Sequence, residues 1–240
     1  GSSGGGDFTG SGGTTLTFGG GPHTITGQYN IAGQSKFTGG SSVTYSAAST
    51  IVNIGSSDNV NGGTVISNSG ESFATPSLTF ATGTLTGSDA VSVQGDGVGA
   101  TTDFAWSGGT MIGSGTVTVT SGASAAISGA VTLSRSLLNQ GSVAWTDGQV
   151  SGSGSFTNQS GGTFTSLLIS SRFFFPSFAN QAGATFTHSP PATVNSEFTG
   201  AFSNAGTVDC TTASTLLMSN GGSHPGSFTG TGSGTLGFGG

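Results

Sequence analysis

The chain has 240 residues, of which 47 are glycine, 12 carry a charge and one is cysteine, a composition unlike that of an ordinary cytosolic globule. The single Cys210 excludes an intrachain disulfide framework and a zinc site built on cysteines. With a net charge of −6 and only three basic residues, Lys36, Arg135 and Arg172, the chain offers no patch for nucleic acid or anionic lipid, so neither is an expected partner.

The N-terminal segment, residues 1–6, consists of glycine and serine and resembles a linker or the interior of a longer protein. It lacks the basic and apolar regions of a signal peptide. Elsewhere the apolar stretches span only a handful of residues, too few for a membrane helix.

Apolar residues alternate with threonine or serine along most of the chain, which predicts short β-strands with one buried face. The clearest examples are Thr15–Phe18, His23–Thr26, Val43–Tyr45, Leu78–Phe80, Val91–Val93 and Thr116–Thr120. Glycine-rich separators such as Gly19–Pro22 supply the backbone conformations of sharp turns. No segment keeps a helical period for more than one turn, so the sequence predicts an all-β fold.

A repeated phrase favours a solenoid over a sandwich. In four segments a bulky apolar residue is followed two positions later by asparagine and then by glycine. The asparagines are Asn139, Asn158, Asn180 and Asn204, spaced by 19, 22 and 24 residues. The segments around Trp106 and Trp145 match at an offset of 39, about twice that period. We therefore predict one parallel β-solenoid over residues 1–240, with about ten coils of about 20 residues each.

Stacked coils place equivalent residues in columns. The four asparagines are predicted to form a hydrogen-bonded structural ladder beside an inward column of Leu137, Phe156, Phe178 and Phe202. The next strand of each coil is predicted to begin its inward side with Val143, Phe164, Phe186 and Val208. Residues 171–176 and 188–191 contain proline, which cannot donate to a strand ladder, and are predicted to be loops or edges.

Residues 106–110, 202–207 and 228–236 resemble the Gly/Ser/Thr-rich repeats of long secreted β-solenoid surface proteins, including adhesins and autotransporter passengers. The resemblance is at the level of the family and covers most of the chain. It implies an extracellular or cell-surface location and a structural or adhesive role. It carries no fixed catalytic set onto residues of this chain.

The nine carboxylates are spread along the chain, and no two share a strand two positions apart. They are Asp7, Asp58, Glu71, Asp89, Asp96, Asp103, Asp147, Glu197 and Asp209. Hydrolysis of glycosides uses two clustered carboxylates, so we expect no catalytic residues, no enzyme activity and no cofactor. Asp96 and Asp103 flank residues 97–100 and would suit calcium, but an ordinary solvated loop is the favoured interpretation, so no metal site is expected.

The remaining candidates for chemistry stand alone in the sequence. His23, His188 and His224 have no companion ligand and are expected at the surface or at corners. Cys210 is expected to point inward as a small hydrophobe. Trp106 and Trp145 are expected in the core, and an outward platform for sugar rings is the alternative.

Phe173, Phe174 and Phe175, beside Arg172, cannot all face inward from one strand. Residues 172–175 are therefore a candidate contact surface for protein, with core packing at a wide corner as the alternative. The N-glycosylation sequon at Asn158 lies on the predicted ladder and is expected to remain unmodified.

Threonine-rich strand faces raise the alternative of ice binding. Because the Thr-x-Thr phrases do not recur in every coil at one register, the sequence disfavours it.

Residues Gly226–Gly240 align without gaps on Gly6–Gly20, with 10 identities in 15 positions at an offset of 220. This match predicts a superrepeat of about 220 residues. The function that follows is a structural, non-enzymatic segment of an extracellular fibre, whose partner is itself in tandem or end-to-end stacking. An adhesin module for glycan or protein is the alternative, ahead of an ice-binding protein or a polysaccharide-degrading enzyme.

Overall fold

The computed structural model describes residues 2–4, 6–98, 102–191, 193–230 and 232–239. The described residues form 26 β-strands and no helix. Twenty-three strands belong to one continuous sheet, and the other three, near the N-terminus, form a separate sheet. All pairings are parallel where register is defined, which confirms the predicted all-β parallel architecture.

The strands are short, and the longer ones bend around a corner. Those of the first half are β1 (Ser2–Gly4), β2 (Phe8–Gly10), β3 (Thr15–Ile25), β4 (Gln28–Ile31), β5 (Gln34–Tyr45), β6 (Thr50–Asn53), β7 (Ser57–Ser67), β8 (Phe73–Thr75), β9 (Leu78–Gly87), β10 (Val91–Val93), β11 (Phe104–Trp106), β12 (Thr110–Val119) and β13 (Ser124–Ile127). Those of the second half are β14 (Val131–Asn139), β15 (Ser142–Trp145), β16 (Val150–Ser151), β17 (Ser155–Asn158), β18 (Thr163–Ser166), β19 (Arg172–Phe174), β20 (Ser177–Asn180), β21 (Thr185–His188), β22 (Asn195–Asn204), β23 (Thr207–Cys210), β24 (Thr215–Asn220), β25 (Ser227–Gly230) and β26 (Thr235–Phe238).

Each turn of the solenoid contributes strand segments to three faces. The first face contains β11, β13, β15, β18, β21, β23 and β25. The second contains β16, β19, β24 and β26. The third contains β8, β10, β17 and β20. Strands β3, β5, β7 and β9 span the first and second faces, whereas β12, β14 and β22 span the second and third.

The number of turns follows from one column of paired residues on the first face. Its members, each paired with the next, are Leu16, Ser35, Asp58, Leu78, Phe104, Ala125, Val143, Phe164, Phe186, Val208 and Phe228. Ten steps cover the 212 residues from Leu16 to Phe228, a mean of about 21 per turn. The predicted solenoid is thus confirmed, with about eleven turns.

The core of the C-terminal half is built from stacked aromatic rings. Phe156 and Phe178 lie in register on the third face with centroids 5.1 Å apart and planes 6° from parallel. Phe178 and Phe202 repeat the arrangement at 5.2 Å and 8°. The whole predicted inward column, including Leu137, is buried. Identical rings stack here because parallel in-register pairing sets equivalent side chains one strand spacing apart.

The loop prediction for residues 171–176 is wrong in part, because Arg172–Phe174 forms β19 and Phe174 pairs with Val150 and Phe198. His188 likewise ends strand β21 rather than opening a loop. Proline excludes a ladder donor only at its own position, and Ser189, Pro190 and Pro191 do lie outside strands.

The two segments of the predicted superrepeat lie on different faces. Phe8 belongs to β2 of the separate sheet, whereas the matching Phe228 belongs to β25 on the first face. The offset of 220 exceeds the 212 residues of ten turns by eight, which is about one face of a three-faced coil. The superrepeat stays a prediction, and its copies in this structure are rotated by one face.

The stacked rings lead to a stability prediction. Phe156→Ala and Phe178→Ala are each expected to lower the free energy of unfolding by about 3–5 kcal/mol, because each removes a fully buried ring from the column. Denaturant unfolding measures the loss. Thr157→Ala, an outward position of the same strand, is the control and should change stability by less than about 1 kcal/mol. Losses below about 1 kcal/mol at both phenylalanines would contradict the assignment of the inward face.

Candidate functional site

The four predicted ladder asparagines occupy one column on the third face and are hydrogen-bonded to one another. Nδ2 of Asn139 donates to Oδ1 of Asn158 at 2.8 Å. Asn158 donates to Asn180, and Asn180 to Asn204, at 2.9 Å each. The side chains are at most 2% exposed.

The second N–H of each amide satisfies a backbone carbonyl of the following corner. Asn139 donates to Thr163 O at 2.8 Å, Asn158 to Thr185 O at 2.9 Å and Asn180 to Thr207 O at 3.0 Å. At the last rung, Asn204 donates to the carbonyl of Ser227. For Asn139, Asn158 and Asn180 both amide hydrogens are therefore engaged within the fold, and the ladder is structural. The burial of Asn158 also accords with an unmodified sequon.

The predicted contact surface, residues 172–175, divides between core and surface. Phe174 is fully buried against Trp145 and Phe198, with ring centroids 5.6 and 5.0 Å away. Phe173 and Phe175 are each 42% exposed, and their centroids are 6.1 Å apart. Strand alternation explains the division, since the outer two rings point to the side opposite Phe174.

Exposed apolar side chains are concentrated near this surface. Within the described part of the chain the exposed large hydrophobic residues are Val52, Val98, Ile112, Leu167, Ile169, Phe173, Phe175 and Phe238. Four of these eight lie between positions 167 and 175. Such a concentration marks an interaction surface more often than isolated exposed residues do.

An open groove runs beside this surface and contains an ion pair that sequence analysis did not find. Arg172 and Asp147 approach to 2.6 Å, with both side chains about one-third exposed. The groove is lined by Gly129, Ala130, Asp147, Gly148, Gln149, Ser171, Arg172 and Phe173. The paired residues are 25 positions apart in sequence, longer than the mean turn, so spacing alone did not reveal their proximity.

Both tryptophans lie in the core, so the alternative of an outward aromatic platform is wrong for them. Trp106 and Trp145 are fully buried and occupy one first-face column, separated by Ile127. The indole N–H of Trp145 donates to Gly148 O at 2.8 Å. This hydrogen bond joins a core side chain to the backbone of Gly148, which lines the groove.

The expectation of a surface position is wrong for His188, which is fully buried in the column between Ser166 and Cys210. Its Nε2 lies 2.9 Å from Oγ of Ser214. Burial lowers the pKa of His188 to about 4 and raises that of Cys210 to about 11. A neutral buried imidazole and a buried thiol are core groups. Cys210 points inward as expected.

The other two histidines are only partly buried, and each lies near aromatic rings. The ring of His23 lies 5.4 Å from that of Phe18, and Nε2 of His23 lies 3.1 Å from Gly20 O. His224 contacts Phe228 and Phe238, with centroids 5.6 and 5.4 Å away.

Asp58 is a buried carboxylic acid that the sequence analysis did not single out. It is 4% exposed and lies in the first-face column between Ser35 and Leu78. Neither of its oxygens has a hydrogen-bond partner in the described part of the chain. It borders an apolar cavity of about 40 Å³. Burial raises the pKa of Asp58 to about 8, so the acid is largely neutral at pH 7.

The remaining carboxylates accept hydrogen bonds from the protein itself. Six of them bind backbone N–H groups, whereas Glu197 and Asp209 bind the hydroxyls of Ser219 and Thr229. Asp103 accepts hydrogen bonds from the backbone N–H groups of Asp96 and Ser124 at 3.0 and 2.8 Å. Burial opposes its charged form, but these hydrogen bonds keep the pKa of Asp103 below its usual value. The flanked loop, residues 97–100, lies partly outside the described residues. No group of three or more metal-ligating side chains occurs among those described.

The Thr-x-Thr phrase does recur at one register, but only over two turns. Thr163 and Thr165 of β18 pair with Thr185 and Thr187 of β21. In the turn before them the register holds Ser142 and Ala144, and in the turn after them Thr207 and Asp209. The regular threonine array is therefore two strands wide.

The described residues contain no helix that is long and apolar enough to cross a membrane. Comparison with known proteins gives no match to any family model, curated protein or solved structure.

The ladder leads to a mutational prediction. Asn158→Asp replaces the amide N–H groups with an acceptor oxygen facing Asn180 Oδ1 and Thr185 O. We expect a loss of about 3 kcal/mol in the free energy of unfolding at pH 7, because a buried carboxylate is left without donors there. The loss should shrink at low pH as the acid regains a proton. Gln181→Glu, at the exposed position that follows the ladder residue Asn180, is the control, and an equal loss there would contradict the prediction.

Asp58 leads to a prediction of pH dependence. Its pKa is about 8 in the fold against 3.8 when unperturbed, so between these values the folded state holds a proton that the unfolded state releases. The free energy of unfolding should therefore fall with rising pH across this window, by up to about 1.4 kcal/mol per pH unit. Asp58→Asn should remove that fall.

The clearest window for this measurement is pH 7 to 8. There the His188 imidazole, with a pKa of about 4 in the fold and 6.5 unperturbed, is neutral in the folded state and mostly neutral in the unfolded one. Denaturant midpoints of the wild type and of Asp58→Asn are compared, with the exposed Asp7→Asn as control. Parallel pH profiles for the wild type and Asp58→Asn would contradict a neutral buried acid.

Proposed function

We propose that this chain is a structural, non-enzymatic segment of an extracellular or cell-surface fibre, assembled from tandem or end-to-end stacked β-solenoid units. The observation that carries the proposal is the unbroken first-face column from Leu16 to Phe228. One hydrophobic cluster follows it through the described turns. A rod in which the repeated feature is the stacking of turn on turn has the architecture of a spacer or of a fibre segment.

The C-terminal turn supports stacking. In the described residues β25 pairs only with β23, and β26 only with β24, so each has an unpaired edge. No charged side chain occurs on either strand. Phe238 is 57% exposed, and Leu236 is only partly buried. Open strand edges without charges add further strands, either from continuing chain or from a second copy.

The groups that could carry chemistry favour a structural role. Ser214 and His188 are hydrogen-bonded, but both are buried, and the pKa of the imidazole is low. The Cys210 thiol is buried with a raised pKa, and catalytic thiols need a lowered one. The extracellular location is supported by the Gly/Ser/Thr-rich composition and by the family resemblance.

The test is the state of assembly in solution. We expect rods of about 50 Å, from eleven turns at the strand spacing, that lengthen in multiples of that value as concentration rises. Small-angle scattering and negative-stain electron microscopy measure the length. Leu236→Lys should abolish lengthening, because it places a charge at the open edge. Thr165→Lys, at an outward position in the middle of the rod, should not.

Two outcomes would overturn the proposal. A scattering profile of a compact particle would contradict the rod itself. Monodisperse monomers at every concentration, for the wild type as for Leu236→Lys, would contradict end-to-end stacking.

A second candidate function, an adhesin module, has one specific observation in its favour. The segment 167–175 contains four exposed apolar side chains, and one of them, Phe173, lines an open groove with an ion pair. A purely structural rod needs neither feature.

A further inference from the structure

We propose that the groove between Asp147 and Phe173 binds an uncharged carbohydrate chain. This inference goes beyond the structural role, and its test is independent of the state of assembly.

The groove has the size and backbone floor of a ligand site. Its volume is about 490 Å³, within the range of roughly 300–1,000 Å³ typical of small-ligand sites. Its floor includes Gly129 and Gly148, which have no side chains. A Cβ on Gly148 would lie 2.0 Å from the carbonyl of Gly129, and its φ of 77° also favours glycine. Glycine at this position keeps the backbone floor intact.

One wall of the groove is aromatic. Phe173 is 42% exposed, on the outer side of β19. Its ring is supported by Phe175, and the buried Phe174 anchors the strand between them. An exposed ring on a rigid strand offers an apolar plane that loses little conformational entropy on binding.

The polar lining residues of the groove are preorganised. Oδ1 of Asp147 accepts hydrogen bonds from Gly148 N at 2.7 Å and from Arg172 at 2.6 Å. The hydrogen bond from Gly148, with the adjacent Arg172 guanidinium, holds the pKa of Asp147 below its usual value, so the carboxylate stays ionised. Arg172 is held in turn by donating to Ser171 O. The planar Gln149 amide lies beside them, with Nε2 donating to Ser151.

The charge of the groove selects an uncharged ligand. Asp147 and Arg172 are its only charged lining residues, and they neutralise each other. An acidic or basic ligand therefore gains no net attraction here.

Carbohydrate chemistry matches these walls. A pyranose ring has a face of C–H groups, which packs on an aromatic plane, and an edge of hydroxyls that both donate and accept. A carboxylate, a guanidinium and an amide together supply the complementary acceptors and donors. A wholly apolar ligand would leave the ion pair without hydrogen-bonding compensation.

The test is a titration of the purified chain with neutral hexasaccharides, followed by NMR chemical shifts. The probes are hexamers of β-1,4-glucose, α-1,4-glucose, β-1,4-mannose and β-1,4-N-acetylglucosamine. We expect at least one to bind saturably, with shifts centred on Gly148, Gln149 and Phe173. Hexagalacturonate, an acidic probe of equal length, should bind about tenfold more weakly.

Variants separate the groove from other exposed surfaces. Phe173→Ala and Arg172→Ala should each weaken binding by about tenfold or more, and Phe173→Tyr should retain it because the ring is kept. Ile112→Ala removes a similarly exposed side chain from β12 and should leave binding unchanged. Because these side chains are exposed or half-exposed, the variants should keep the unfolding midpoint of the wild type.

Four results would overturn the proposal. The first is absence of saturable binding by all four neutral probes up to about 10 mM, where even weak sites register. The second is binding that Phe173→Ala and Arg172→Ala leave unchanged. The third is tighter binding of hexagalacturonate than of every neutral probe. Association of the chain with itself through Phe173 and Phe175, abolished by Phe173→Ala, would instead assign the surface to a protein contact and would also overturn it.

Discussion

Parallel in-register pairing between successive turns is the constraint on which the rest of the structure depends. Once the backbone of one turn pairs with the next, every inward side chain faces its equivalents about 4.8 Å away above and below. Each inward residue must therefore be compatible with the side chains directly above and below it, including identical ones. Phenylalanine does so by offset stacking, as Phe156, Phe178 and Phe202 show. Asparagine does so because one amide group both donates and accepts.

The same constraint explains why some buried polar groups are stable only in their neutral form. A carboxyl group has no donor when ionised, so Asp58, set between Ser35 and Leu78, is stabilised only as the neutral acid. His188 meets the constraint as a neutral base hydrogen-bonded to Ser214. A buried charge needs backbone partners, as for Arg135, which is 3% exposed and donates to the carbonyls of Gly115 and Asp89. Asp147 and Arg172 form their ion pair at the half-exposed surface. Stacking of inward side chains accounts for the rod, whereas the groove is formed by residues that face outward.

Much of the fold could be predicted because period and alternation are local signals. The spacing of Asn139, Asn158, Asn180 and Asn204 fixed both the coil length and the register of four turns. The rest of the fold depends on the lengths of the corners. Successive equivalent residues in the first-face column are separated by 18 to 26 positions in sequence. Strand β19, the burial of His188 and the approach of Arg172 to Asp147 follow from such variable corners. The alternation of Asp58 with Val60 is a sequence signal for its inward position. Because acidic side chains are rarely buried, that signal is weak.

The measurement that tests the stacking most directly is the NMR environment of the asparagine side-chain amides. If the turns pair in register, the Nδ2 protons of Asn158 should show cross-relaxation with the side chains of Asn139 and Asn180 and should exchange slowly with solvent. Amide protons of Asn158 that exchange as fast as those of exposed Gln181, without contacts to either neighbouring asparagine, would contradict in-register stacking.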